Sequence, residues 1–183
     1  MTPKPRIIGN HVYFFRDGDA FTKPAAGTAS RTAKPAVNDD GWLEFGKVDK
    51  LSVTHDKDEK EIYAPSPSRL ELDDVLVNKR KTTIKFDTQE LSEMCFELAF
   101  GSKPADAETG QYNPGAGDTV KGWLHVEQFG ADSDIVPVNT VDMYVYLSLG
   151  GDLTFDDNAV KTSMQALRLR STLNTGALIT PQP

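Results

Sequence analysis

Cysteine is almost absent, because Cys95 is the single thiol in a chain of 183 residues. One thiol excludes an internal disulfide and any zinc site built from several cysteines. A catalytic cysteine needs a positioned base and an exposed setting. Cys95 lies instead among apolar residues at helical spacing, a setting in which free cysteines are usually buried. The sequence therefore predicts a structural role for Cys95.

Long apolar runs are absent too, and no stretch approaches the roughly 20 residues that a membrane-spanning helix requires. The apolar pair Ile7–Ile8 near the N-terminus is too short for the core of a secretory signal. We therefore expect no membrane insertion, and folding in the cytoplasm.

Basic residues are too few to balance the acidic ones, which leaves a net charge of −7. Non-specific DNA wrapping needs clustered lysine and arginine, so this balance disfavours it, although DNA could still slide past such a surface. With 38% hydrophobic and 26% charged residues, the composition is typical of a globular protein. The length suits one domain, residues 1–183.

Catalytic and cofactor-binding motifs are also missing. The sequence has no Gly-x-Ser-x-Gly elbow, and no serine or cysteine obviously partners its three histidines. Residues 113–118 are glycine-rich, but they lack the Gly-Lys-Ser/Thr end of a phosphate loop and precede a strand. We expect no catalytic residue and no cofactor, and therefore not an enzyme.

Metal ligands are sparse. His125 and Glu127 share one strand face and could form a metal pair, but zinc normally takes three or four ligands, so we expect an exposed face. The acidic run 56–61 contains lysines and lacks the glycine of a calcium loop, which favours a solvated loop. Asp132 and Asp134 are typical of a turn. The sequence predicts no metal site.

The strongest positive signal is the alternation of apolar and polar residues between Thr140 and Gly150. Alternation of this length predicts a strand with one apolar face and one polar or interfacial face. The apolar face comprises Val141, Met143, Val145, Leu147 and Leu149. The opposite face comprises Asp142, Tyr144, Tyr146 and Ser148.

Other stretches read as further strands, at 11–15, 42–53, 75–86, 120–129 and 163–171. A bulge near Gly46 would reconcile the apolar register of the second of these. The pattern predicts an antiparallel β domain.

One helix is predicted, over residues 88–100. Asp87 and Glu90 match a capping box, and Gly101 is a typical left-handed terminator. The buried stripe of the helix has the i, i+3, i+4, i+7 spacing and comprises Leu91, Met94, Cys95 and Leu98.

Three segments have weak core-forming patterns. Residues 22–40 have hardly any large apolar side chain, so we expect a mobile loop or an arm that orders against a neighbour. Residues 55–69 are charged and interrupted by prolines, which favours an extended loop or arm. In the tail, 174–183, only two apolar residues could anchor the chain.

Two groups of residues are candidates for subunit contacts. Arg168 and Arg170 share a strand face, with Lys161 nearby. They could form a phosphate-binding stripe, protect an edge strand, or pair with an acidic patch on a neighbouring subunit. Tyr144 and Tyr146 suit a partly wet interface, or ordinary packing under a helix or loop.

The order of features resembles the major tail tube proteins of long-tailed bacteriophages and related prophages. The resemblance covers residues 41–171, and three segments carry it. They are Trp42-Leu-Glu-Phe-Gly-Lys-Val48, followed by a charged, proline-bearing loop; Lys81-Thr-Thr-Ile-Lys-Phe-Asp87; and Glu90-Leu-Ser-Glu-Met-Cys-Phe-Glu-Leu-Ala-Phe-Gly101. The family pattern is a strand entering one amphipathic mid-chain helix, followed by paired C-terminal strands.

The resemblance implies a β-sandwich or barrel with a flanking helix, which assembles into hexameric rings that stack into a tube. It implies identical copies and other tail proteins as partners, and phage DNA passing through without specific binding. It also implies location in the virion tail. Under this interpretation the polar stretch with Asn78, Arg80 and Lys81 would line a lumen or a subunit contact.

The sequence also allows two alternatives. One is another virion β module, such as a capsid decoration or tail terminator protein, which would form closed trimers or single rings. The other is a carbohydrate-binding sandwich, which would need Trp42 and Trp123 as exposed aromatic platforms.

Overall fold

The computed structural model describes residues 7–46, 48–89, 92–101, 104–106, 111–112, 119–130, 136–151 and 162–178. Strands dominate this part of the chain, and one short helix accompanies them, so the predicted β fold with one helix is confirmed. Within the described residues no helix has both the length and the apolar character needed to cross a membrane.

Twelve strands and one helix follow one another along the described chain. In chain order they are β1 (Ile7–Arg16), β2 (Ala20–Phe21), β3 (Gly27–Thr28), β4 (Leu43–Glu44), β5 (Val48–Ser66), β6 (Arg69–Thr88), α1 (Glu93–Phe100), β7 (Pro104–Asp106), β8 (Gln111–Tyr112), β9 (Val120–Gly130), β10 (Asn139–Leu149), β11 (Thr162–Arg168) and β12 (Thr175–Leu178).

Eight strands form one antiparallel sheet in the order β4-β1-β9-β10-β11-β6-β5, with β12 paired to the first part of β10. Two small sheets pair β2 with β3 and β7 with β8. The large sheet is open, with β4 and β5 as its two end strands. It does not close into a barrel, which was one of the two expected forms.

The main core lies on one face of this sheet and is built from alternate residues of its strands. Val145 and Leu147 of β10 are completely buried there, and Val141, Met143 and Leu149 pack against them. The predicted apolar face of this strand is therefore confirmed. Each such side chain removed from water contributes roughly 1.5–3 kcal/mol before entropy is counted.

Phe45 connects the two ends of the sheet across this core. Its N–H donates to the Val12 carbonyl of β1 (3.0 Å), and its own carbonyl accepts from the Thr88 hydroxyl of β6 (2.8 Å). Its ring packs edge-on against Phe86, with centroids 5.2 Å apart. The predicted strand 42–53 is therefore two strands, which belong to opposite ends of the sheet.

The predicted bulge at Gly46 is wrong in position. Gly46 has a positive φ of 69° and lies in the connection between β4 and β5. The irregularity in the β5–β6 register falls later, between Asp49 and Ser52, where Lys50 also has a positive φ of 51°.

The helix is shorter than predicted, because β6 continues to Thr88. Asp87 pairs with Asp49 and Ser163 inside the sheet, so it cannot cap α1. Ser92 takes the capping position, although its hydroxyl makes no capping hydrogen bond to the helix backbone. Gly101 is left-handed (φ 63°), which confirms the predicted terminator.

The predicted buried stripe of the helix is found where the structure describes it. Met94 and Cys95 are buried, and Leu98 packs against the same core. Leu91 and the second capping-box residue, Glu90, lie outside the described residues. The buried Glu97 forms an ion pair with Arg16 of β1, which fastens the helix to the sheet.

The predicted loop at 55–69 is instead most of a long hairpin. Strands β5 and β6 pair from Val48 opposite Thr88 to Ser66 opposite Arg69, with a turn at residues 67–68. Charged residues do not prevent a strand when cross-strand neighbours complement them. The segment is therefore an ordered two-stranded arm, and the prediction of a loop is wrong.

Residues 22–40 form a mainly irregular segment, in keeping with the expected loop, and they lie against their own sheet instead of extending as an arm towards a neighbour. The buried Asp39 carboxylate accepts hydrogen bonds from the N–H groups of Thr22 (2.8 Å), Lys23 (2.9 Å) and Gly41 (3.0 Å). These hydrogen bonds, of which the one from the Thr22 N–H has the largest effect, lower the pKa of Asp39 to about 2. The indole N–H of Trp123 donates to two carbonyls of the same segment.

In the predicted tail, Thr175–Leu178 forms β12. Several other predictions fall outside the described residues, namely the loop at 113–118, the turn with Asp132 and Asp134, and Lys161.

Candidate assembly surfaces

One face of the outer part of the β5–β6 hairpin carries exposed apolar side chains, with Glu61 beside them. The register places Tyr63 opposite Leu72 and Pro65 opposite Leu70, and alternation brings these pairs to the same face. Exposure reaches 51% for Tyr63, 68% for Leu70 and 54% for Leu72. We call Tyr63, Leu70, Leu72 and Val75 the hairpin apolar face.

The opposite face of the hairpin is polar. Asp56 lies across from Lys81, and Asp58 lies across from Lys79, so opposite charges alternate along it. Lys81, predicted as a contact or lumen residue, belongs to this polar face. Asn78 is exposed and lies at the register shift next to the Asp58–Lys79 pair. Among the described residues, nothing distinguishes Asn78 as a contact residue.

Three of the predicted residues meet around one groove. Arg80 of β6, Arg168 at the end of β11 and Arg170 just beyond it line a space of about 170 Å³ together with Thr82 and Ser171. All three arginines are exposed, and among the described residues no carboxylate lies within ion-pair distance of them. We call this space the arginine groove.

The fold decides one of the three interpretations of Arg168 and Arg170. Strand β11 lies between β10 and β6, so it is an interior strand. Protection of an edge is therefore wrong as an explanation. An oxyanion site and an acidic patch on a neighbouring subunit remain.

The two tyrosines of β10 differ. Tyr144 is 3% exposed and packs against Trp123, with ring centroids 5.5 Å apart. Burial and a hydrogen bond to Asp17 raise the pKa of Tyr144 to about 12. Its role as a contact or lumen residue is wrong, because the same chain covers it. Tyr146 is half-buried and stays a candidate.

A buried ionic network lies on the outer face of β9 and β10, where the sequence predicted an exposed face. The side chain of His125 is only 3% exposed; its Nδ1 lies 2.7 Å from Asp142 Oδ1, and Lys34 Nζ lies 2.6 Å from Asp142 Oδ2. No local pattern in the sequence indicates this network, because Lys34 reaches it from the 22–40 segment. We call His125, Asp142 and Lys34 the histidine network.

Burial by itself lowers the pKa of His125, but the hydrogen bond and charge of Asp142, with the nearby charge of Glu127, outweigh burial and raise it. Burial raises the pKa of Asp142, but hydrogen bonds from His125 and Lys34 outweigh that effect and lower it. Both groups are therefore stabilised in their charged forms.

Beside this network lies a cleft of about 290 Å³ with aromatic and acidic walls. Tyr13 and Trp42 supply rings that lie about 6 Å from the His125 ring (6.0 and 5.9 Å between centroids). Glu44 and Glu127 supply carboxylates, and His125 lines the interior. Burial and these two carboxylates raise the pKa of Tyr13. We call this the acid–aromatic cleft.

The same geometry bears on metal binding. Within the described residues, no three or more histidine, cysteine, aspartate or glutamate side chains are grouped so that they could hold a metal ion. Cys95 is buried, as predicted.

No protein-family model matches this sequence, and no curated protein shows significant similarity to it.

Proposed function

We propose that this chain is a structural, non-enzymatic subunit that assembles into stacked hexameric rings and forms a bacteriophage tail tube, a conduit for DNA ejection. The proposal rests on the resemblance carried by residues 41–171 and on one structural observation. That observation is the hairpin apolar face, which the described chain leaves uncovered.

Exposed apolar side chains on an extended arm favour association. Single exposed leucines are ordinary on a protein surface, but a contiguous group of them marks an interaction site. Covering a half-exposed leucine stabilises a contact by roughly 1 kcal/mol. Four such side chains on one arm therefore support docking on a neighbouring copy.

The open sheet supports the same proposal. Strand β5 is 19 residues long and forms one end of the sheet, so within the described residues its outer backbone groups pair with no strand. Long unpaired edges invite another chain to extend the sheet. The alternating charges of residues 56–61 would restrict that extension to a complementary strand. A closed ring of identical copies satisfies such edges.

The net charge of −7 is compatible with conduction of DNA. An excess of carboxylates repels phosphates, so a lumen built from such subunits would let DNA pass without holding it.

Assembly of the wild type is tested first by electron microscopy and sedimentation velocity at high concentration. Rings or tubes are the expected particles. Closed trimers or single rings without stacking would favour the decoration or terminator alternative. Compact monomers that fail to assemble even on tail-tip seeds would contradict the proposal.

We expect Leu72→Asp to prevent tube formation while leaving the monomer folded. The side chain is 54% exposed in the single chain, so the charge is harmless there, but it would be buried without a partner in the contact. Sedimentation velocity measures assembly, and circular dichroism with thermal unfolding measures folding.

Leu76→Asp is the matched control, because Leu76 is 46% exposed on the opposite face of the same strand. Equal loss of assembly in both variants would contradict the face-specific contact.

The positions of the two tryptophans do not support the carbohydrate-binding alternative. Trp123 is completely buried, and Trp42 is partly buried with its indole N–H donating to the Ala36 carbonyl (2.8 Å). The two rings therefore do not provide the exposed platform that this function needs.

A further inference from the structure

The arginine groove and the acid–aromatic cleft carry opposite charge. The groove presents three arginine side chains that have no carboxylate partner among the described residues. The cleft and the histidine network together contain four carboxylates, Asp39, Glu44, Glu127 and Asp142, and two groups that carry positive charge, His125 and Lys34. The cleft side therefore stays negative even when His125 is protonated.

The chemistry of the cleft matches a guanidinium group in particular. Arginine stacks on aromatic faces and forms paired hydrogen bonds with carboxylates. Tyr13 and Trp42 supply the aromatic faces, and Glu44 and Glu127 supply the carboxylates. The side chain of Glu44 is 52% exposed, so it is accessible to a partner.

A buried imidazole nitrogen lies at the cleft wall. His125 Nε2 is shielded from solvent and lies 3.3 Å from Glu127 Oε1, at ion-pair distance. His125 therefore holds the Glu127 carboxylate at the cleft, where that carboxylate can also accept from an entering guanidinium.

The two surfaces lie on opposite faces of the sheet and on different strands. Arg168 follows Met164 and Ala166 in the alternation of β11, so it lies on the face of the main core. Tyr13 and Glu127 alternate with the core residues of β1 and β9, so they lie on the outer face. The groove and the cleft of a single copy therefore face away from each other, and only two different copies could bring them together.

We propose that the arginine groove of one copy binds the acid–aromatic cleft of the next copy around the ring. Because the two surfaces differ, the contact is heterologous, and heterologous contacts generate rings or filaments instead of two-fold dimers. The inference rests on the proposed function and adds to it the specific pair of surfaces that joins neighbouring subunits.

A charge exchange tests this contact. Arg168→Glu and Glu44→Arg each place like charges at the contact, and each is expected to weaken self-association roughly 10- to 100-fold. The double variant Arg168→Glu/Glu44→Arg restores opposite charges at each contact, so association should recover to within about tenfold of the wild type. Sedimentation velocity over a concentration series measures all three.

Mixing the two single variants gives a second readout. Arg168→Glu has an acidic groove and an acidic cleft, and Glu44→Arg has a basic groove and a basic cleft, so both contacts between unlike variants pair opposite charges. The mixture is expected to recover association with the two variants alternating, as the double variant does, while each variant alone stays monomeric at that concentration. Lys60→Glu, the same charge change on the polar face of the hairpin, should associate like the wild type.

The outcomes separate this inference from the proposed function. Single variants that form tubes as the wild type does would overturn the groove–cleft contact and leave the tube proposal standing. If the single variants fail to associate and the double variant does not recover, the groove–cleft contact is likewise overturned and the tube proposal stands. If the double variant recovers association but the wild type forms only short closed oligomers, the result would support the contact and overturn the tube. A wild type that stays monomeric at all concentrations and also fails to assemble on tail-tip seeds overturns both.

Discussion

Replacing Gly122 with alanine is expected to destabilise the fold by about 3 kcal/mol, the upper end of the range typical of overpacking, because the clash is with backbone. Gly122 lies in β9 between Arg16 of β1 and Val145 of β10. A Cβ atom there would lie 2.0 Å from the Phe15 carbonyl oxygen and 2.8 Å from the Phe14 ring. A side-chain neighbour could rotate away, but a paired strand backbone cannot without breaking its hydrogen bonds.

Urea denaturation followed by circular dichroism measures this effect, and Gly9→Ala is the matched control. Gly9 lies in β1, and a Cβ added to it would meet nothing within 4 Å. Its replacement should change the free energy of unfolding by less than about 0.5 kcal/mol. Wild-type stability of Gly122→Ala would show that β1 and β9 do not pair in this register.

Replacing Asp142 with alanine is expected to lower the free energy of unfolding by roughly 3–5 kcal/mol, the usual cost of removing one partner from a buried ion pair. Asp142 is the shared partner of His125 (2.7 Å) and Lys34 (2.6 Å), so its removal takes the carboxylate from Lys34 and leaves His125 with Glu127 alone. Asp73→Ala, on the exposed hairpin, is the control, and it should change stability by less than about 0.5 kcal/mol.

The pH dependence of this effect follows from the two pKa shifts. The pKa of His125 is raised, so its contribution is complete below about 6.5, its ordinary value, and is lost as the pH rises through the folded value. The pKa of Asp142 is lowered, so its contribution is complete above about 4 and is lost as the pH falls through the folded value.

The stability difference between the wild type and Asp142→Ala should therefore be largest between about pH 4 and 6.5. Urea denaturation at several pH values measures it. A difference that grew steadily above pH 7 would show that His125 is neutral in the folded protein.

These two variants concern the single chain, whereas the proposed function depends on contacts between chains. The hairpin apolar face and the arginine groove are on the core-face side of β6, since Arg80 and Thr82 continue the alternation of Ile84 and Phe86. Under the proposed assembly, one neighbouring copy could therefore contact both surfaces. Apolar burial along the arm and charge pairing at its base would then act on one interface.

The sequence predicted the parts of the fold in which one periodicity dominates. The alternation at residues 140–150 identified β10 and its buried face, since each second side chain must leave water when a sheet packs on a core. The stripe with Met94 and Cys95 identified the helix, and Gly101 identified its end. The sequence grouped Arg168 with Arg170 on one strand and named Arg80 separately, and the fold brings all three around one groove.

Other predictions failed where distant residues decide the structure. The charges of residues 56–61 indicated a loop, but β6 supplies opposite charges across the hairpin and makes the segment a strand. Asp87 had the spacing of a helix cap, but it pairs within the sheet.

By itself, the sequence determined the β class, the helix, and which residues of the main strands turn towards an apolar core, because these depend on neighbours along the chain. Only the tertiary structure decided what covers each remaining face. Tyr144 and His125 are buried under residues 22–42, whereas Leu70 and Leu72 are left uncovered. Arg80 and Arg168 are brought to one groove. Burial depends on which distant segment lies against a side chain, and local periodicity contains no information about that segment.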